Sequence, residues 1–129
     1  MNAPLIEGCV DSYASSIAAY RGGADRLELC ANLAIGGTTP SPSLFQQVQR
    51  DCPIPINVLI RPRFGDFLYT EPELDEMCGE ISRFRDLGAN GVVIGVLTPD
   101  GALDCEKMRQ LMDCAGEMDV TLHRAFDMT

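Results

Sequence analysis

The most constraining feature of this chain is its regular alternation of strand-like and helix-like segments with no hairpin signal between them. Leu5 to Val10, Asp25 to Cys30, Ile56 to Ile60, Gly91 to Leu97 and Val120 to His123 read as strands. Between them lie four helices. One follows a Ser12 cap, one starts at Ser41-Pro42, one starts at Pro72, and one follows an Asp104 cap. The third carries Leu74, Met77, Cys78, Ile81, Phe84 and Leu87 on a helical period and stops at Gly88. A βαβαβαβαβ order without tight strand-to-strand turns requires parallel strands joined by right-handed crossovers.

Two architectures satisfy that order: an open doubly wound sheet, or part of a (β/α)8 barrel. A doubly wound sheet covers both faces, so its central strands read as unbroken apolar runs. Here Glu7, Arg26, Glu28, Asn57, Arg61 and His123 all lie on strands or at their ends. Polar side chains on one strand face suit a barrel lumen. In the second strand Arg26, Glu28 and Cys30 face one way, and Leu27 and Leu29 the other. Gly23-Ala24-Asp25 and Gly88-Ala89-Asn90 mark equivalent helix-to-strand turns two βα units apart. A closed barrel needs roughly 200 residues or more, and this chain has 129. The expectation is therefore an α/β fold: a partial (β/α)8 TIM barrel, residues 1–129, of about four βα units plus a fifth strand in one parallel sheet.

Charge narrows the function classes. Ten basic residues stand against nineteen acidic ones, a net charge of -9, which excludes the basic surface that nucleic acid requires. No apolar run approaches the roughly 20 residues of a membrane span, and no secretion signal is recognisable. A cytoplasmic protein with no membrane partner is expected. No GxGxxG or P-loop follows the first strand. The six cysteines form no CxxC or zinc-knuckle pattern. Cys78, Cys105 and Cys114 fall on helices, where the expectation is buried filler rather than a disulfide framework.

Seven blocks carry a resemblance. Cys9 to Ser12 (CVDS), Gly22 to Cys30 (GGADRLELC), Gly36 to Ser41 (GGTTPS), Ile60 to Arg63 (IRPR), Gly65 to Phe67 (GDF), Leu97 to Gly101 (LTPDG) and His123 to Asp127 (HRAFD) occur in the order and spacing of the CutC copper-homeostasis family. The chain resembles the N-terminal half of such a protein, whose members resemble TIM barrels of about twice this length. It departs from the family at Ile35, where an acid is usual, at Phe64, where glycine is usual, and at Gly8, where a bulkier apolar residue is usual.

The resemblance implies a copper ion as partner, with Cys9 and Cys30 as its ligands. The residues are compatible with this. Both cysteines end strands expected to be neighbours about 4.8 Å apart, and both share the face of Glu7 and Glu28. Two thiolates suit Cu(I), a soft ion that tolerates few ligands. The same two thiols could equally form a disulfide or simply fill space, and the adjacent carboxylates oppose their ionisation. No complete catalytic constellation is present, so the chain reads as a copper-binding protein rather than an enzyme. The rival reading is an enzyme site at the strand mouths, acting on a small anionic metabolite with Glu28, Arg61 and His123 as candidates. In that reading Arg61, with Arg63 and Asp66 nearby, either binds the anion or neutralises Glu7, Glu28 or Asp66. The unpaired edges of the first and fifth strands lead to the expectation of a homo-oligomer.

Overall fold

The computed structural model describes residues 5–122. Five strands, β1 (Glu7–Val10), β2 (Arg26–Leu29), β3 (Ile56–Leu59), β4 (Gly91–Ile94) and β5 (Asp119–Leu122), alternate with four helices. The helices are α1 (Tyr13–Arg21), α2 (Pro42–Asp51), α3 (Glu71–Leu87) and α4 (Cys105–Ala115). Every strand pair is parallel, and the spatial order is β1-β2-β3-β4-β5. That order decides between the two architectures. A doubly wound sheet reverses direction at a switch point; here each βα unit adds to the same edge, as barrel strands do.

The helices begin where side chains satisfy otherwise unpaired N–H groups. Ser12 and Ser15 cap α1 reciprocally, and Ser41 accepts from the Leu44 N–H with Pro42 in the first turn of α2. Thr70 and Glu73 form a capping box at α3, and Asp104 accepts from the Lys107 N–H at α4. Gly88 ends α3 with a left-handed φ of 96° that a side chain would strain. At the end of α1 the left-handed residue is Gly23; Gly22 keeps right-handed geometry.

One continuous core joins the outer face of the sheet to the helices. Leu27, Leu29, Val58, Val92 and Ile94 from the strands, with Ile60 just past β3, pack with Phe45, Phe84 and Leu111 from the helices. The Phe45 and Phe84 rings meet edge to face at a centroid distance of 5.5 Å; truncating either to alanine costs about 3–5 kcal/mol in such a setting. On the opposite face a small separate cluster, Cys30, Leu59 and Val93, lines the lumen side.

Three details differ from the sequence reading. β4 stops at Ile94, because Val96 and Leu97 leave the sheet: the Val96 carbonyl accepts from the Asp104 N–H, and Leu97 makes an antiparallel bridge to Leu103. Cys78 and Cys114 are not filler: they form a disulfide with a Cα–Cα distance of 5.6 Å. That bond ties α3 to α4, whose sequential βα winding lays them side by side. Cys105 is exposed rather than buried. Among the described residues, no helix is long and apolar enough to cross a membrane.

Candidate functional site

The site forms where the ends of β1, β2 and β3 meet the loops that follow them. Register places Cys9 opposite Glu28 on adjacent strands. Strand alternation then sets Glu7, Cys9, Arg26, Glu28 and Cys30 on the lumen face. The Cys9 thiol donates to Glu28 Oε2 at 3.0 Å. Arg26 Nε donates to Glu7 Oε2 at 2.6 Å and occupies that second carboxylate. Glu7, Cys9 and Glu28 each bring a ligand-grade atom within 4.8 Å of the others, and Cys30 stands outside that triad. Cys30 is buried, and its thiol donates to the Val10 carbonyl at 3.6 Å.

The loop after β2 folds back over the strand mouth. Ala31 and Thr38 bridge in antiparallel fashion, and a single 3-10 turn, Leu33–Ile35, lies between them. Asp11 holds that turn by accepting from the Leu33 N–H at 2.9 Å. Gly37 has φ 84°, and a Cβ there would lie 2.9 Å from Leu59 Cδ2 and 3.5 Å from Cys30 Sγ. Only glycine lets the loop approach this closely. Thr39 then stitches the loop to β3: its N–H donates to the Arg61 carbonyl, and its Oγ1 accepts from the Arg61 N–H at 2.8 Å.

Arg61 is the central side chain of the mouth. It is 8% exposed. Nη1 donates to the Gly36 and Gly37 carbonyls at 3.4 and 3.2 Å, and Nη2 donates to Gly65 O at 2.9 Å. The guanidinium lies 4.7 Å above the centre of the Phe67 ring. None of the acids proposed for it pairs with it. Glu7 is taken by Arg26, Glu28 by the Cys9 thiol, and Asp66 by Arg63. Among the described residues, no carboxylate lies within ion-pair distance of Arg61. Among the described residues its Nε, like the nearby Tyr69 hydroxyl, is buried without a partner at hydrogen-bond geometry.

Arg63 has a different part. It pairs with Glu73 and Asp66, donates to the Leu68 carbonyl at 2.7 Å and lies over the Tyr69 ring. It clamps the loop after β3 onto the start of α3. Glu73, which also accepts from the Thr70 N–H, is held down at about 2, chiefly by that arginine.

Together, Cys9, Glu28, Cys30 and Arg61 line one pocket of about 250 Å³ with Leu33, Gly36, Leu59 and Phe67. Four sequence candidates thus converge at one place, and the fifth, His123, lies outside the described residues. The apolar wall of Leu33, Leu59 and Phe67 was not anticipated. Phe67 carried a signal, since it closes the Gly65 to Phe67 block that follows the arginines. Both thiols are held protonated. Burial, then the hydrogen bond and charge of Glu28, push Cys9 up to about 12. Burial, then the charges of Asp11 and Glu28, push Cys30 up to about 11. A soft metal can still displace those protons, because thiolate ligation is worth more than the thiol's retained proton.

The model of the CutC family matches residues 4–129. The human copper homeostasis protein cutC homolog is 50% identical over 127 residues, 98% of this chain and 46% of its own length. A CutC family protein of Mesorhizobium japonicum is 48% identical over 126 residues, 98% of this chain and 49% of its own length. This chain therefore spans about half the length of the curated relatives it matches. The crystal structure of a protein assigned as CutC from Streptococcus agalactiae superposes with a TM-score of 0.91 at 33% identity, covering 98% of this chain and 61% of that one. A protein assigned as a phosphonomutase from Burkholderia cenocepacia superposes with a TM-score of 0.60 at 20% identity, over 92% of this chain and 53% of that one, a likeness of fold alone.

Proposed function

The chain belongs to the CutC family, and we propose that its part in copper homeostasis is to bind one Cu(I) ion through Cys9 and Cys30. The observation that carries this reading is that two free thiols, from the ends of neighbouring strands, line one small pocket. Sulfur donors select Cu(I) over harder cations, and two suffice for it. Binding exchanges the two thiol protons for the metal. Glu28 must therefore release its hydrogen bond from Cys9 and can accept the departing proton or hand it to solvent. The reading places this exchange in the cytoplasm, where a reducing environment keeps Cys9 and Cys30 as thiols and copper cuprous, and where the Cys78–Cys114 bond persists only if its reduction potential lies below that of the compartment.

An anaerobic Cu(I) titration against a competing chelator tests the reading, run on this chain and on its Cys9→Ser/Cys30→Ser variant. Binding of about one ion, lost in the double variant, is the expected result. Equal binding by both proteins would move the metal to another cysteine, with exposed Cys105 the first candidate.

A further inference from the structure

Among the described residues, Arg61 is a buried cation without a carboxylate partner. Each of Arg26, Arg50, Arg63 and Arg85 has a carboxylate partner. Arg61, more buried than any of them, has three backbone carbonyls and an aromatic face instead. Carbonyl dipoles and a ring offset only part of the cost of burying a full charge. In the same pocket stands Glu28, an acceptor with lone pairs to spare after accepting the Cys9 S–H hydrogen bond. Beside the two thiols and Gly36, the described lining is apolar: Leu33, Leu59 and Phe67.

We propose that this pocket takes a small hydroxycarboxylate, its carboxylate placed against Arg61 and its hydroxyl donating to Glu28. The charge pattern selects the class. Among the described residues a single arginine lines the pocket together with Glu28, with Glu7 and Asp11 close to the thiols. A phosphate dianion would meet more like charge than it could neutralise, whereas a carboxylate matches the one guanidinium. The acceptor at Glu28 demands a donor on the ligand, and an analogue without one leaves that carboxylate unpaired. About 250 Å³ lies below the range of pockets that hold drug-sized ligands, so the ligand carries only a few carbons, with its C–H side on the apolar wall. The inference is independent of the copper reading, since neither proposed ligand contact is a thiol.

The test is a metal-free titration of the chain with glycerate, followed by amide NMR shifts at Leu59 and Arg61. Propionate, glycerol and inorganic phosphate are titrated in parallel. Saturable glycerate binding at those amides is expected, with propionate weaker and glycerol and phosphate without effect. Arg61→Lys keeps a cation but loses the fork of donors, and glycerate affinity should fall at least about tenfold. Glu28→Met, which keeps the side-chain length but has no oxygen acceptor, should bring glycerate and propionate to similar affinity while the melting temperature stays near that of the parent, so a folding defect is distinguishable from lost recognition. No saturable glycerate binding by the folded parent, phosphate or glycerol binding as well as glycerate, or an affinity indifferent to Arg61→Lys would each overturn the proposal. Because the titration is metal-free, a failure of Cu(I) binding cannot produce any of these outcomes.

Discussion

The Cys9 thiol donates a hydrogen bond to Glu28 Oε2, 3.0 Å away across the β1–β2 pair. The carboxylate therefore suppresses the reactivity of the most accessible thiol in the pocket. In Glu28→Gln the Cys9 pKa should fall from about 12 but stay above 9.0, because burial is the larger cause. One unit corresponds to about tenfold in thiolate at a fixed pH below the pKa. Site-resolved alkylation at pH 8.5, with exposed Cys105 as the internal reference, should show Cys9 reacting several-fold faster. An unchanged Cys9-to-Cys105 ratio would mean that Glu28 does not control this thiol.

Copper affinity should depend steeply on pH. Cys9 at about 12 and Cys30 at about 11 are both protonated throughout pH 6–9. Each must lose its proton to ligate. Apparent Cu(I) affinity should rise about a hundredfold per pH unit across that range, as two released protons require. A tenfold rise would identify a single thiolate ligand and exclude the paired site.

Glu73 links the loop after β3 to acid stability. Its folded pKa is lowered from 4.5 to about 2 by Arg63 and the Thr70 N–H. A depressed carboxylate contributes stability that is fully present above its unfolded pKa and disappears as pH falls through the folded one. The gap in urea midpoint between the parent and Glu73→Gln should therefore be constant above about pH 5 and close as pH drops toward 2. A gap that persists at pH 2 would assign the effect to the capping hydrogen bonds rather than to charge.

The Cys78–Cys114 bond closes a loop of sequence separation 36. Chain-entropy arguments give such a loop about 3–4 kcal/mol. Reduction, or Cys114→Ser, should lower the urea midpoint by a comparable amount. An identical midpoint with and without reductant would show that the bond adds nothing to the pairing of α3 with α4.

The winding of the chain was legible because it is written in local periodicities. Leu27 and Leu29 alternate with Arg26, Glu28 and Cys30, and the structure sends the first pair to the helices and the second set to the lumen. Cys9, Glu28, Cys30 and Arg61 were legible as neighbours for the same reason: each lies in the last residues of, or just past, one of three consecutive strands. The Cys78–Cys114 pair was not, because it depends on how two helix faces turn toward each other, which no local pattern records. Arg61 was expected either to bind an anion or to neutralise an acid. What it does within the chain is hold the carbonyls of Gly36, Gly37 and Gly65, and backbone acceptors are invisible in a list of side chains. The capping box at α3 was readable as Thr70-Glu71-Pro72-Glu73, but proline marked the helix start more loudly than threonine did.

Sequential strand order also sets the time at which the pocket comes into being. Its links are short in sequence: 19 residues from Cys9 to Glu28, 22 from Thr39 to Arg61 and 24 from Gly37 to Arg61. Contacts of small separation close early, since they lose little chain entropy. All the lining residues fall between Cys9 and Phe67, so the pocket assembles without waiting for α4 or β5. A ligand that favours the pocket would act on the folding chain from its first three strands onward, guiding folding as well as occupying the finished site.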